Sequence, residues 1–155
     1  MTRFWDWAIA AYARPGAAEA CLQLQDDHAQ SVPFLLWAAW AAQDGRVLSP
    51  ATLALGAAVA AAWDEAAVHP LRQVRRGLKA HLLGLPDAAR EAVRQQVKAV
   101  ELAAERALIE ALDAMTVPTG PAPMPLAESL ATAGAAWSPP VSAEALTPLV
   151  QILAS

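Results

Sequence analysis

Residues 51–63 read ATLALGAAVAAAW, the most apolar run of the chain, and Asp64 and Glu65 follow it directly. At about 1.5 Å per residue this run would reach roughly 20 Å as a helix, too short for a hydrocarbon core of about 30 Å. A helix without a polar face must be surrounded by other helices. We therefore expect residues 50–68 to form the buried centre of a water-soluble bundle, and we expect no membrane span.

The composition of the chain agrees with one soluble domain. Of its 155 residues, 56% are apolar, 17% are charged and about 40 are alanine. A chain of this length can bury roughly two thirds of its surface without disulfides, and its single cysteine, Cys21, excludes an intrachain bridge. The formal net charge of −4 argues against a nucleic-acid partner, and the N-terminus lacks the pattern of a secretory signal. The expected location is the cytoplasm.

Residues that start and stop helices predict an all-α fold, a compact bundle of five to seven helices around a buried alanine-rich central helix. Pro15 and Gly16 separate the first two helices, and Ser31 and Ser49 are placed to begin the third and the fourth. The His69-Pro70 pair is expected to break or kink the fourth helix, because proline cannot donate a helical hydrogen bond. Beyond it, residues 71–82 and residues 87 to about 115 have helical periodicity.

The C-terminal part of the chain has a different composition. Residues 117–125, VPTGPAPMP, contain four prolines and one glycine and predict a semi-rigid linker. The two short helical patterns after it are too small to fold alone. The predicted organisation is a bundle domain at 1–116, a linker at 117–125 and a helical segment at 126–155 that docks on the bundle.

No pattern in the sequence is typical of a catalytic or metal site. His-x-x-x-His pairs, Gly-x-Ser-x-Gly turns and phosphate-binding glycine loops are absent, so we expect no metal, no cofactor and, on balance, no enzymatic activity. Cys21 lies in the apolar segment EACLQL, where burial would leave its thiol inert.

A cationic stripe after Pro70 is the first candidate binding surface. Four of its members recur every three or four residues, and Arg75 lies next to one of them. The stripe consists of His69, Arg72, Arg75, Arg76 and Lys79. Arginine grips planar oxyanions with two hydrogen bonds, so the stripe could bind an anionic ligand or an acidic protein. The alternative is structural, with the stripe packed beside Glu101 and Glu105 of the long helix.

Tryptophans form the second candidate. Trp37 and Trp40 lie on neighbouring faces of the third helix, and Trp63 ends the fourth. In a core built from alanine, such rings can simply fill the volume between helices. Alternatively they line a pocket for an apolar or flat ligand, with Gln25 or Asp26 as polar contacts.

The segment FWDWAIAAYARPGAAEACLQLQDDHAQSVPFLLWAAW, residues 4–40, carries a distinctive pattern. It starts with F-W-x-W-A, continues through P-G and C-L-x-L-Q-D, and ends in L-L-x-x-x-W. This pattern resembles a small proteobacterial family, a domain of unknown function, and the resemblance covers roughly residues 3–112. Where the family pattern has a glycine and an asparagine, this chain has Ala29 and Pro33, so we expect the turn between the second and third helices to differ. The resemblance implies no activity.

Two functional hypotheses of different class follow. The first is a non-catalytic protein-interaction or self-association module that uses the arginine-rich helix and the exposed part of the long helix. The second is a small-molecule binder or enzyme. Its site would lie between the tryptophan-bearing helices and the arginine-rich helix and would accept an apolar molecule with an anionic head.

Overall fold

The computed structural model describes residues 3–155, so Met1 and Thr2 of the predicted bundle domain lie outside it. Within that range the chain is all-α, as predicted, and folds compactly into seven helices. They are α1 (Phe4–Tyr12), α2 (Ala17–His28), α3 (Val32–Gln43), α4 (Pro50–Gly77), α5 (Asp87–Asp113), α6 (Leu126–Ala136) and α7 (Ala143–Ala154).

The predicted starts of α3 and α4 are confirmed by serine caps. The Ser31 hydroxyl accepts the backbone N–H of Phe34, and the Ser49 hydroxyl accepts that of Thr52 at 3.1 Å. Each cap satisfies one of the N–H groups that have no partner inside the helix. Gly45, with φ 69°, follows the end of α3 where the sequence places a stop.

The centre of the fold is α3. Every residue from Phe34 to Ala41 is buried, and α1, α2, α4, α5 and α6 pack around this helix. In the first part of α4, Pro50–Trp63, only three residues are buried and Leu55 is 62% exposed. The prediction that residues 50–68 form the enclosed centre is therefore wrong. A run made mostly of alanine has little side-chain volume and covers one side of the core, whereas α3 supplies large rings and leucines in several directions.

A glycine brings α4 close to this central helix. A Cβ atom at Gly56 would overlap the ring of Trp37, whose Cη2 atom would lie only 2.8 Å from it. The missing side chain therefore lets the indole lie against the backbone of α4. Trp37 is completely buried, and its ring nitrogen has no hydrogen-bond partner.

The fourth helix continues through the predicted break at His69-Pro70. Between its first part and its last part, His69–Gly77, lies one π-helical turn, Asp64–Val68. Pro70 cannot donate to the carbonyl four residues earlier and would clash with it, and the wider turn accommodates the ring without ending the helix. By length and composition α4 could also cross a membrane, but the core helices of soluble proteins pass the same test. The fold is compatible with a soluble protein.

The C-terminal helices contribute to the same core. Leu130 of α6 and Leu146 and Leu149 of α7 are buried in the hydrophobic cluster that contains α3. Between α5 and α6 the chain is irregular, and Pro118 accepts a backbone hydrogen bond from Val47 at 2.8 Å. The division into 1–116, 117–125 and 126–155 remains a proposal, in which the third segment shares the core of the first.

Candidate functional site

The last part of α4 and the first half of α5 form a helical hairpin, which we define as residues 69–100. Its two helices pack against each other, and α5 contributes its first buried side chain only at Glu101. No residue from 69 to 100 is buried. The hairpin therefore lies outside the hydrophobic core of the body.

Arginines occupy the inside of this hairpin. The exposed fraction of the side chain is 11% for Arg72, 22% for Arg75, 10% for Arg90 and 18% for Arg94. Long arginine stems can cover apolar surface while the guanidinium finds polar partners, and Arg90 donates to the carbonyl of Leu78. Most of the cationic side chains of the hairpin thus face the neighbouring helix.

Four charged side chains join the hairpin to the body. Arg72 donates to Glu101 and to Glu105, each at 3.3 Å, and Arg75 donates to both carboxylate oxygens of Glu101. Glu101 is only 5% exposed, and an ionised carboxylate at such a site needs these partners. The structural alternative for the stripe is confirmed at these two arginines.

Burial and pairing shift the pKa values of this cluster. The hydrogen bond from Arg75 to Glu101 raises the pKa of Arg75. Burial raises the pKa of Glu105, and the guanidinium of Arg72 opposes that shift. The surroundings of Glu105 thus favour its neutral form.

The other members of the predicted stripe are dispersed. The Arg76 side chain is 50% exposed and pairs with Asp26 of α2, while His69 is exposed. Lys79 lies beyond the end of α4, so the prediction of a helix through residue 82 is wrong. Gly77, a poor helix former, ends the helix one turn earlier.

Trp37 and Trp40 are part of the core. Trp37 is 0% and Trp40 3% exposed, and the ring of Trp40 lies 5.6 Å from that of Phe4 with the guanidinium of Arg46 at 4.6 Å. Trp63 is half-buried and packs against the same cluster. These positions agree with rings that fill volume between helices.

An apolar cavity of about 430 Å³ lies elsewhere, between α1, α2, α5 and the start of α3. Of the residues that the sequence singled out as binding candidates, Gln25 lines this cavity. Its other walls include Tyr12, Cys21 and Glu105, which come from helices far apart in the chain. Sequence spacing alone carries no signal for such a site.

The outer surface of the hairpin exposes several large apolar residues. Large apolar residues with exposed side chains follow one another along its last α4 turns, its connection and α5: Val74, Leu82, Leu83, Leu85, Val93 and Val100. Leu83 at the tip is 99% exposed. A surface helix normally turns its apolar residues inward and its charges outward, whereas here four arginines are largely covered and these six apolar residues stay exposed. The sequence signal for it is the apolar connection HLLGLP, residues 81–86, which periodicity does not detect because it is not helical.

The described part of the chain, residues 3–155, holds no group of three or more His, Cys, Asp or Glu placed to bind a metal. A family model described as "Protein of unknown function (DUF2390)" matches residues 3–112, the range over which the sequence resembles a domain of unknown function. No curated protein and no solved structure matches the chain. Because the family model covers more than half of the sequence, the chain belongs to the DUF2390 family of proteins of unknown function.

Proposed function

We propose that this protein is a non-catalytic interaction module in the cytoplasm, and that its hairpin docks on another protein chain, its own copy included. One observation carries the proposal. No residue from 69 to 100 belongs to the buried core, arginines line the inside of the hairpin, and six large apolar residues are exposed on it. A partner would cover the apolar surface that the body of the protein leaves in water.

The energetics favour such a partner. Contiguous exposed apolar surface on a soluble protein typically marks an interaction site. Fully burying a leucine such as Leu83 contributes about 1.5–3 kcal/mol, and several apolar residues of comparable size lie beside it. Two helices without a buried core are only marginally stable by themselves, so docking would also order the hairpin.

Charge defines the chemistry of the partner surface. The hairpin contains seven lysines and arginines and two acidic residues. Three of the cations, Arg72, Arg75 and Arg76, are paired with acidic residues of the body, while Lys79 and Lys98 are exposed. A complementary partner would offer an apolar surface rimmed by acidic side chains. The paired arginines are not free to follow a phosphate backbone, which does not favour nucleic acid as the partner.

The second hypothesis, a ligand site between the tryptophans and the arginines, has less support. Trp37 lies in a filled core, and Arg72 and Arg75 bind glutamates. A ligand would have to displace both kinds of contact before it could bind there.

The test compares apolar exposed residues on and off the hairpin. Leu83→Asp and Val93→Asp place a charge on the hairpin, and Leu55→Asp places one on an exposed position of the first part of α4. Light scattering across a wide range of concentrations, and cross-linking in the native host followed by mapping of the linked peptides, measure association. We expect association through the hairpin in the wild type and the Leu55 variant, and its loss in the two hairpin variants. A protein that is monomeric and forms no hairpin cross-links would contradict the proposal, as would equal loss in all three variants.

A further inference from the structure

The cavity between α1, α2, α5 and the start of α3 has the properties of a ligand site. Its volume of about 430 Å³ lies toward the small end of the range for small-molecule pockets, about 300–1,000 Å³. Its inner wall includes Cys21, 1% exposed, and Leu36, 4% exposed. Other residues that line it, such as Leu22 and Leu102, are more than half exposed, so a ligand can enter the cavity from outside.

Apolar side chains surround the mouth of this cavity. Ile9 is 54% exposed, Tyr12 48%, Leu22 53% and Leu102 57%, and all four line it. These residues come from three different helices and converge on one opening. Such a cluster of large apolar side chains in water suits the apolar part of a ligand.

The charged group inside the cavity is a carboxylate. The Glu105 side chain is 30% exposed, and Arg72 donates to its Oε1 atom at 3.3 Å. The cation of the cavity, Arg106, is at the rim, with its side chain 63% exposed. Its guanidinium lies 4.7 Å from the ring centre of Trp5 and pairs with Glu110 at 3.0 Å. Because the guanidinium of Arg106 already has Glu110 as its partner, the charged group left for the head group of a ligand inside the apolar space is the carboxylate of Glu105.

Burial shifts the pKa values of three groups in the wall of the cavity. Burial raises the pKa of Tyr12, raises that of Cys21 to about 11 and raises that of Glu105. These three groups line the same cavity, and each shift favours the uncharged form of its group. A cationic group on a ligand would oppose this shift at Glu105, because a positive charge nearby favours the ionised form of a carboxyl group.

We propose that this cavity binds a small amphiphilic amine, with the apolar body against the mouth residues and the ammonium group donating to the carboxylate of Glu105. Gln25, on the same wall, offers an amide oxygen as a further acceptor. The half-buried carboxylate favours a cationic head group here, whereas the anionic head group suggested by the sequence was expected at a different site, beside the arginine-rich helix. The site does not involve the hairpin surface, so this inference is independent of the proposed interaction.

The test uses three probes with one chain length: decylamine, decanol and decanoate, each below its micelle concentration. Titration calorimetry with native mass spectrometry measures affinity and stoichiometry. We expect one molecule to bind, with decylamine at least tenfold tighter than decanoate. In a second series of primary amines of increasing chain length, affinity should rise about fourfold per methylene until the cavity is full. Absence of binding, or tighter binding of decanoate, would overturn the proposal.

Two matched variants locate the head group. Glu105→Gln removes the carboxylate and leaves Arg72 its second partner, Glu101. Glu19→Gln makes the same change of net charge at an exposed position of α2 outside the cavity. We expect Glu105→Gln to lower the affinity for decylamine to that for decanol and to leave the affinity for decanol unchanged, which also reports an intact cavity. Equal effects of the two variants, or loss of decanol binding in Glu105→Gln, would contradict the assignment of Glu105.

Discussion

The α3 helix and the first part of α4 are similar in apolar character, but they occupy different positions in the fold. The sequence of α3, VPFLLWAAWAAQ, has eight consecutive buried residues, Phe34 to Ala41. The sequence of α4 over Pro50–Trp63, PATLALGAAVAAAW, has three buried residues among fourteen. Counting apolar residues does not separate the two helices. Side-chain volume does, because a helix at the centre must fill the space between five neighbours, whereas an alanine-rich helix can only cover one side.

The largest expected effect is at the centre of α3. Trp37→Ala should lower the free energy of unfolding by about 3–5 kcal/mol, because it leaves a cavity where the ring is completely buried. Trp37→Phe keeps most of the ring and removes a ring nitrogen that has no hydrogen-bond partner, so its cost should stay below about 1.5 kcal/mol. Urea unfolding measures both. Such cavities normally cost at least about 3 kcal/mol. A loss below about 1 kcal/mol for the alanine variant would therefore mean that α3 is not the centre of the fold.

A pair of leucines in α4 tests the other side of the comparison. Leu53 is 6% exposed and Leu55 is 62% exposed, two residues apart in the same helix. Leu53→Ala should cost about 2–5 kcal/mol, and Leu55→Ala should change stability by no more than about 0.5 kcal/mol. Thermal and urea unfolding of the two variants at low protein concentration provide the measurement. Equal costs would support the original prediction that this helix is enclosed on every side.

The contact between the two helices can be tested through glycine. Gly56→Ala should cost about 1–3 kcal/mol, because the added methyl group overlaps the ring of Trp37, which lies in a filled core and has little room to move. Gly77→Ala is the control, since nothing lies within 4 Å of the new Cβ atom at the end of α4. It should leave stability unchanged or raise it by up to about 1 kcal/mol, because alanine favours the helix. If both variants behave alike, then α4 does not approach α3 through Gly56.

What the sequence predicts well is local, and what it misses depends on distant contacts. The caps Ser31 and Ser49, and the bounds of α5, follow from residues within one or two turns, and these are confirmed. The orientation of Arg72 depends on Glu101, 29 residues away, and arginine spacing fits an outward face as well as an inward one. The cavity is harder still to predict from local sequence patterns, because its walls come from four helices.

The turn before α3 offers a smaller test, at Ala29. Ala29 has φ 51°, and among the described residues it is the one residue other than glycine with a positive φ. The left-handed conformation costs an L-residue about 1–2 kcal/mol, and glycine avoids this strain. Part of the gain is offset because glycine has more conformational freedom in the unfolded chain. Ala29→Gly should therefore raise the free energy of unfolding by about 0.5–1 kcal/mol. A destabilised variant would mean that the methyl group of Ala29 makes contacts worth more than the strain.

The smallest expected effect concerns Glu105. The α3 and α4 helices differ in how far they are buried, and this test asks whether burial also affects a charged side chain of the body. Burial raises the pKa of Glu105 in the folded protein above its ordinary value of 4.5. The proton on a carboxyl of raised pKa stabilises the fold, fully so below that ordinary value. This stabilisation is lost as the pH rises through the higher, folded-state value. The glutamine variant cannot lose it, so the stability of Glu105→Gln relative to the wild type should increase as the pH rises through and above the ordinary carboxyl value of 4.5. Arg72 stabilises the ionised carboxylate and opposes the effect of burial, so the slope of stability against pH in urea unfolding reports the net shift. Parallel curves for the two proteins would show that folding does not raise the pKa of Glu105.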